Sequence, residues 1–519
     1  MLTASKKRKQ KNFEFMTLDI ETDSKGHYTD FGLYDGETFY HTNSLDKVVR
    51  FILKRGGIYY AHCGMRFDYV IIIKELMKYQ QFNISFAGTQ GICIMNDNVK
   101  FYDSYRLLPG KLEDLCNSFD VSVKKIKLDV MPWELSADDR IEYLKCDCIS
   151  LHEVITNFWS LIDTNFGNYR SITLPALALK IWTDTLEYPF MVSKSKKLVD
   201  FESKSYYGGM CWIDDLIIRQ ETKVTVYDVN SMYPFMMRKY KYPYSYIGAW
   251  TSEFDVNRIG LYKVRANYDG IPFCYDIDTK QLSNDGTFIV DNETVQYLMD
   301  IGNCSVEYGY IYYNCDYIFR EFVDRGYKLR KLGLPGLSYV AKIMLNSLYG
   351  KFGEKPIKRT VSNVLPESYI NCRIYDSGEV ELFDYTTECD IKHRFVAISA
   401  LVTLRARLHL RKLSQQGILI YCDTDSLHFL GTNIQLPVDT ELGGIKLEYR
   451  GKAVYIGKKI YQFDGVTKCK GVPNKCVEFL DFSNLDSELR LTFNSFTSII
   501  DVCSKDKTFE LITKTRTVR

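Results

Sequence analysis

The chain has 519 residues, 46% hydrophobic and 25% charged, a balance that excludes wholesale disorder and leaves room for three or four domains of about 150 residues each. Lys plus Arg number 67 against 65 Asp plus Glu, a formal net charge of +2. That excludes a uniformly basic coat protein but leaves nucleic acid open as a partner wherever charge is segregated along the chain.

The first residues, MLTASKKRKQK, are basic with no apolar segment behind them, and are read as a solvated tail rather than a cleaved leader. No stretch approaches the roughly 18 apolar residues of a membrane span. Fifteen cysteines occur without CxxC spacing, which predicts reduced thiols in a cytoplasm-like compartment. Phe13–Ile20 alternates and delivers Asp19 and Glu21, predicting a strand that ends in carboxylates. Gly57–Ile73 is a second apolar strand region, interrupted by HCGMRFD, which contains His62, Cys63, Phe67 and Asp68. Ser136 caps a helix expected over Ser136–Ile162, and a break near Pro189–Lys197 predicts the first domain boundary.

Asp19 and Glu21 are two apart and face the same side of a strand, while Tyr143 and Asp147 are four apart on one helical face. If Asp68 joins them, four acids surround one site. Such a group repels itself unless divalent cations neutralise it, and hard Mg²⁺ (or Mn²⁺ in its place) suits oxygen ligands. Paired ions about 3.5–4 Å apart can polarise a phosphodiester and activate water, which Tyr143 would orient. Taken singly, each acid is an ordinary solvated residue; the ordered set DIE, FD and YxxxD carries the reading.

Further along, Lys223–Val229 alternates into Asp228 within YDVNSMYP. Leu337–Phe352 is expected to be a helix after a Gly-Pro-Gly turn; its Lys342, Asn346 and Tyr349 share one face. Phe395–Leu413 is a second helix, and GILIYCDTDSLHFLG predicts a hairpin with Asp423, Thr424 and Asp425 at its tip. A cation, an amide and an aromatic facing paired carboxylates suit a nucleoside triphosphate bound with Mg²⁺. Cations cluster around these elements: residues 319–359 hold ten Lys/Arg against three Asp/Glu, and residues 441–475 hold eight against three. That predicts a DNA track whose affinity falls steeply with salt.

The first set resembles the three motifs of the DnaQ-like 3′–5′ exonucleases. YDVNSMYP, KIMLNSLYG and YCDTDS, in that order, resemble motifs A, B and C of the family B DNA polymerases, specifically the short protein-primed type of small tailed phages and linear plasmids. SYYGGMCW, with Tyr206, Gly208 and Gly209, is similar to the family's YxGG segment, and GKKIYQF supplies Lys459 and Tyr461 as its KxY motif. The resemblance implies an α/β and α+β multidomain fold, an RNase H-like exonuclease domain followed by a right hand of palm, fingers and thumb. The expected divisions are 1–190 exonuclease, 191–222 linker, 223–445 palm and fingers with two insertions within 235–325 and 353–392, and 446–519 thumb and C-terminal region.

Residue by residue, the resemblance makes Asp228, the Val229 carbonyl and Asp425 the polymerase metal ligands, with Asp423 beside them. It makes Tyr233 the steric gate against ribose. Arg330 and Lys342 contact the triphosphate, while Asn346, Ser347, Tyr349 and Gly350 shape the nascent base pair. Asp19, Glu21, Asp68, Tyr143 and Asp147 fall on exonuclease positions. Ser104 and Tyr105 (SYRLL) resemble a single-strand-binding motif alongside His62 and Phe67, and Lys127 with Asp129 (KLDV) resembles a further exonuclease motif, adding a catalytic lysine and a metal ligand. Cys63 replaces the usual motif asparagine, which implies either weakened proofreading or His62 in its place. The implied partners are template-primer DNA, dNTPs and a terminal priming protein. A monomer in the host cytoplasm is expected.

Overall fold

The structure is a computed structural model that describes residues 14–376, 380–464, 466–470, 472, 477, 482, 489–504 and 509–518; the basic tail before Phe13 lies outside them. Two large sheets organise the chain. The first has ten strands, in the order Phe39–Thr42, Tyr28–Tyr34, Met16–Thr22, Gly57–Ala61, Val99–Asp103, Gln90–Met95, Asn83–Ala87, Ile357–Ser362, Glu381–Glu388 and Asn371–Asp376. Its centre is mixed: Met16–Thr22 runs parallel to Gly57–Ala61, which runs parallel to Val99–Asp103, while Tyr28–Tyr34 is antiparallel. The core strand Met16–Thr22 is buried on both faces except at Asp19, as a parallel-sheet strand covered by helices must be.

One of those covers is the helix Ala137–Asn165, begun where the Ser136 hydroxyl accepts the Asp139 N–H, with Asp138 and Asp139 in its first turn. A second differs from expectation. Tyr69–Ile73 is helical, within Asp68–Met77, and not a strand. Its apolar run is long enough for either element, and the strand ends at Ala61 because Cys63 takes a left-handed φ of 63°.

The second sheet has seven antiparallel strands, ordered Cys211–Ile213, Leu419–Asp423, Ser426–Leu430, Glu221–Val229, Ile445–Gly457, Ile460–Phe463 and Val466–Cys469. The expected hairpin and the expected strand into Asp228 are neighbours here, with Asp228 opposite Ser426. Between this sheet and the helices Pro335–Phe352 and Val396–Ser414 lies the largest apolar core. The stretch between the first and second polymerase-like motifs folds as a separate four-stranded sheet, Gly248–Thr251, Gly302–Tyr312, Gly260–Tyr268 and Asp285–Asp291.

Two features cut across the expected divisions. Strands from residues 357–388 extend the N-terminal sheet: Val361 pairs with Ile84, and the Asn363 amide bonds Phe82, Met77 and Gln80. Likewise Ile445–Gly457 crosses the division at 446 as an inner strand of the second sheet. Near the C-terminus, Ile499 and Val502 are buried against the N-terminal core. Long strands recruit whichever sheet edge is open, a choice that local sequence does not encode.

Buried arginines tie the pieces together. Arg405 bonds Asp291 at 3.3 Å, both essentially without solvent, and lies between the Tyr240 and Tyr242 rings at 4.6 Å from each. Asp291→Ala strands that cation, at an expected cost of about 3–5 kcal/mol; a urea unfolding midpoint unchanged from wild type would contradict the pairing.

Candidate active sites

Around the first sheet, Asp19, Glu21 and Asp147 bring one carboxylate oxygen each within 4.8 Å of one another. Strand alternation puts the first two on one face, and the helix Ala137–Asn165 lays Asp147 across it. Asp68, at the start of its helix, is buried beside them, and one oxygen each of Asp68 and Asp147 has no hydrogen-bond partner. Burial raises the Asp19 carboxyl, and Asp147 raises it further. Glu21 is raised by burial, then by Asp19 and Asp147, and Asp68 well above its ordinary value by burial and by Asp19. Mutual repulsion in a dehydrated site and orphaned acceptors are what a divalent cation satisfies; the donor set fits Mg²⁺ or Mn²⁺.

One cation comes from the protein itself. The Lys125 ammonium pairs with Asp147 and sits 4.8 Å over the Tyr143 ring. Burial pulls its pKa down, but Asp147 and Tyr143 reverse the sign, and it is held as a cation. Tyr143 itself is pushed up to about 12, by burial and by Asp147, so it is a neutral phenol. Lys127 and Asp129, expected at this site, lie apart from it. Lys127 is exposed and pairs with Glu113 at 3.1 Å, and Asp129 is exposed and outside the cluster. Residues 124–128 form no helix or strand, so no regular alternation assigns either lysine a face, and packing sets Lys125 against Asp147.

His62 is half-buried, with Nδ1 3.0 Å from the Ser104 hydroxyl and Nε2 2.9 Å from the Gly110 carbonyl; burial lowers its pKa. Tyr105 lies 5.9 Å from the His62 ring and 5.7 Å from the Arg66 guanidinium. Phe67 meets Phe496 and Phe509 edge-on, each at 5.1 Å. Its ring is packed against the C-terminal segment.

On the second sheet, Asp228 and the Asp423–Asp425 turn stand side by side. Thr424 has a left-handed φ of 63°, the Asp425 N–H closes onto the Asp423 carbonyl at 2.7 Å, and the Val229 N–H bonds the Asp425 carbonyl at 2.8 Å. Asp425 is pushed up to about 6, by burial, then by Asp228 and Asp423; Asp228 is raised by burial, opposed by Lys446. The third acid is spoken for: Lys459 pairs with Asp423. That leaves Asp228, Asp425 and the Val229 carbonyl as a donor set fit for a hard cation.

The matches to known proteins follow this geometry. Residues 130–436 match the family model described as DNA polymerase type B, organellar and viral. The chain belongs to that family. It is a DNA-directed DNA polymerase, 26% identical to the enzyme of Enterobacteria phage PRD1 over 90% of this chain and 86% of that one. It is 24% identical to the DNA polymerase of Bacillus phage phi29, over 88% of this chain and 82% of that one. The solved phi29 enzyme, complexed with primer-template DNA and incoming nucleotide substrates, superposes with a TM-score of 0.76 at 19% identity, over 98% of this chain and all of that one. The expected α/β and α+β multidomain fold is therefore this polymerase's fold.

In this polymerase, the helix Pro335–Phe352 carries its three residues over the second sheet. Lys342 is exposed and near enough to lower Asp228; the Asn346 amide bonds the Lys342 carbonyl at 3.0 Å, and Ser347 the Met344 carbonyl at 3.3 Å. Tyr349 packs against Tyr233 with the ring centroids 4.4 Å apart and the planes tilted by 37°, and Gly350 lies one residue on. Arg330 bonds the Ser231 hydroxyl, so it reaches the Asp228 segment from the helix Arg320–Lys331. In the linker, Gly208 is exposed, while a Cβ on Gly209 would sit 2.8 Å from the Thr424 hydroxyl; only glycine allows that approach. Tyr206 occupies the space over Gly353. Tyr461 belongs to an aromatic cluster with Tyr421 and Phe463, at 5.4 and 4.9 Å. Two neighbours of the acids were not singled out from sequence, Lys125 and Lys446 (3.5 Å from Asp228), nor was Arg407, which bonds the Tyr207 and Gly208 carbonyls of the linker. Only Lys125 carried a signal, its place two residues before KLDV.

Because the raised acids hold protons more tightly folded than unfolded, stability without divalent ions falls as pH rises from the ordinary carboxylate range near ~4 through about 7 for Asp19. Thermal unfolding in chelator is expected to show that decline, Mn²⁺ to reverse it at high pH, and Asp19→Asn with Glu21→Gln to flatten it. A slope unchanged in the double variant would remove the acids as its source.

Proposed function

We propose that this chain is a replicative polymerase with two metal-dependent sites, a synthetic one on the seven-stranded sheet and a 3′–5′ proofreading exonuclease on the ten-stranded one. The observation that carries the reading is the pair of separate carboxylate groups, Asp228 with Asp425 and Asp19 with Glu21 and Asp147, each short of cations. Mg²⁺ bound there would supply Lewis-acid stabilisation of phosphoryl oxygens at either site.

In synthesis, Lys342 and Arg330 receive the triphosphate, Tyr349 and Asn346 border the new base pair, and Tyr233, packed on Tyr349, closes the space a ribose 2′-hydroxyl would need. Asp228, Asp425 and the Val229 carbonyl hold the cations while the primer 3′-hydroxyl attacks the α-phosphate in line. Tyr206, Gly208, Thr424, Lys459 and Tyr461 lie along the template-primer path. In editing, Asp19, Glu21, Asp68 and Asp147 hold the cations, Tyr143 orients the attacking water, and Lys125 supplies positive charge at the scissile phosphate. Ser104, Tyr105, His62 and Phe67 border the frayed strand.

The sheets support an exonuclease domain joined through a linker to palm and fingers, with a thumb after the inner strand Ile445–Gly457. The four-stranded unit between the first and second motifs, and the strands 357–388 between the second and third, are the two insertions of a protein-primed enzyme. The first nucleotide is then joined to a hydroxyl of a terminal protein. Similarity to phage polymerases along most of the chain supports this mode and a monomer working in host cytoplasm. Among the described residues no helix is long and apolar enough to cross a membrane.

Asp425→Asn is expected to abolish nucleotide incorporation and to spare degradation of single-stranded DNA, and Asp19→Ala with Glu21→Ala to do the reverse. Loss of both activities in either variant would refute separate sites. Lys125→Ala should slow degradation about 10–100-fold, whereas Lys127→Ala leaves it within about twofold; equal effects would return the role to Lys127. Tyr233→Val should admit ribonucleotides in primer extension.

A further inference from the structure

Arg407 is a buried cation that the roles above do not use. It lies on the helix Val396–Ser414 at 2% exposure. Its near neighbour Arg405 has Asp291 as a counterion, whereas none of the hydrogen bonds or ion pairs of Arg407 among the described residues involves a carboxylate, and its Nε has no partner. Burying a guanidinium without a counterion is costly and is offset only through the hydrogen bonds it makes.

What it holds is backbone. One terminal nitrogen donates to the carbonyls of Tyr207 at 3.1 Å and Gly208 at 2.7 Å. The guanidinium also sits 5.3 Å from the Tyr275 ring. That ring stacks on Tyr207 at 4.6 Å and 7°, and its hydroxyl donates to the Gly209 carbonyl at 3.2 Å. Three successive carbonyls are thus gripped from behind. In front, the next carbonyl, Met210, accepts the Thr424 N–H at 2.7 Å, and Gly209 presses on the Thr424 side chain. Thr424 is the left-handed residue between Asp423 and Asp425, a conformation that persists only where the surroundings over-determine it.

We propose that Arg407, together with Tyr275, is a positioning residue for the polymerase-site cation. By fixing the Tyr207–Gly209 carbonyls it clamps Thr424, and through Thr424 it aims the Asp425 carboxylate at Asp228. The inference rests on the reading of Asp228 and Asp425 as metal ligands. The exonuclease acids lie on the other sheet and are untouched by the clamp.

The test is Mn²⁺ binding followed by electron paramagnetic resonance in full-length protein carrying Asp19→Ala and Glu21→Ala, which leaves the polymerase site as the reporter. Arg407→Met keeps the packing volume and removes both the donors and the buried charge. Its thermal midpoint should hold or rise, while Mn²⁺ binding weakens at least about tenfold, the usual cost of losing a group that orients a ligand. Arg407→Lys should recover part of the loss. Tyr275→Phe, which removes only the hydroxyl, should weaken binding in the same direction and serves if Arg407→Met does not fold. In the background with both exonuclease acids intact, the Mg²⁺ needed for half-maximal primer extension should rise in Arg407→Met, and that for strand degradation should not move. Mn²⁺ affinity equal to the parent in Arg407→Met and in Tyr275→Phe overturns the clamp. If Asp425→Asn in the same background binds Mn²⁺ as the parent does, the ligand assignment fails first, and the clamp with it.

Discussion

Like charges held close together and away from water govern this molecule. Asp19, Glu21 and Asp147 converge within 4.8 Å, with Asp68 buried behind them, and on the other sheet Asp425 is raised by burial and by Asp228. A fold optimised for stability alone would not assemble either group, since desolvating an acid beside another acid opposes ionisation twice over. The two sheets can be understood as scaffolds rigid enough to hold acids where repulsion would scatter them. Lys125 at one site, and Lys446 and Lys459 at the other, take up part of the charge and leave a deficit that divalent cations fill.

The scaffolds achieve this by different geometry. In the ten-stranded sheet, parallel strands end together and present acids at one edge, with a helix closing over the top. In the seven-stranded sheet, antiparallel pairing sets Asp228 directly opposite Ser426, so the hairpin tip arrives next to the neighbouring strand end. A short turn with Thr424 in a left-handed conformation then sorts the two tip acids: Asp423 goes to Lys459 and Asp425 toward Asp228. The sorting needs the glycine at 209, because any side chain there would strike the turn.

The sheets are not independent of each other. Strands 357–388 follow the Pro335–Phe352 helix and complete the ten-stranded sheet, and the C-terminal segment returns to pack Phe496 and Phe509 on Phe67. The Pro335–Phe352 helix is therefore tied to the edge of the ten-stranded sheet by covalent connection as well as by strand pairing.

The sequence by itself determined the chemistry: which acids, in what order, with what spacing, and hence a polymerase with family B motifs. Strand alternation placed Asp19 with Glu21 and helical periodicity placed Tyr143 with Asp147, because those relations span only a few residues and follow from backbone geometry alone. Only the tertiary structure decided what depends on chain segments meeting from afar. It paired Lys125 rather than Lys127 with Asp147, turned Tyr69–Ile73 into a helix, carried residues 357–388 to the far sheet, and set Arg407 beneath the Tyr207 and Gly208 carbonyls. None of these has a local signature. Two lysines in an irregular segment, an apolar run and a buried arginine are each compatible with several neighbours, and the partner is selected by packing and by which sheet edge remains to be filled.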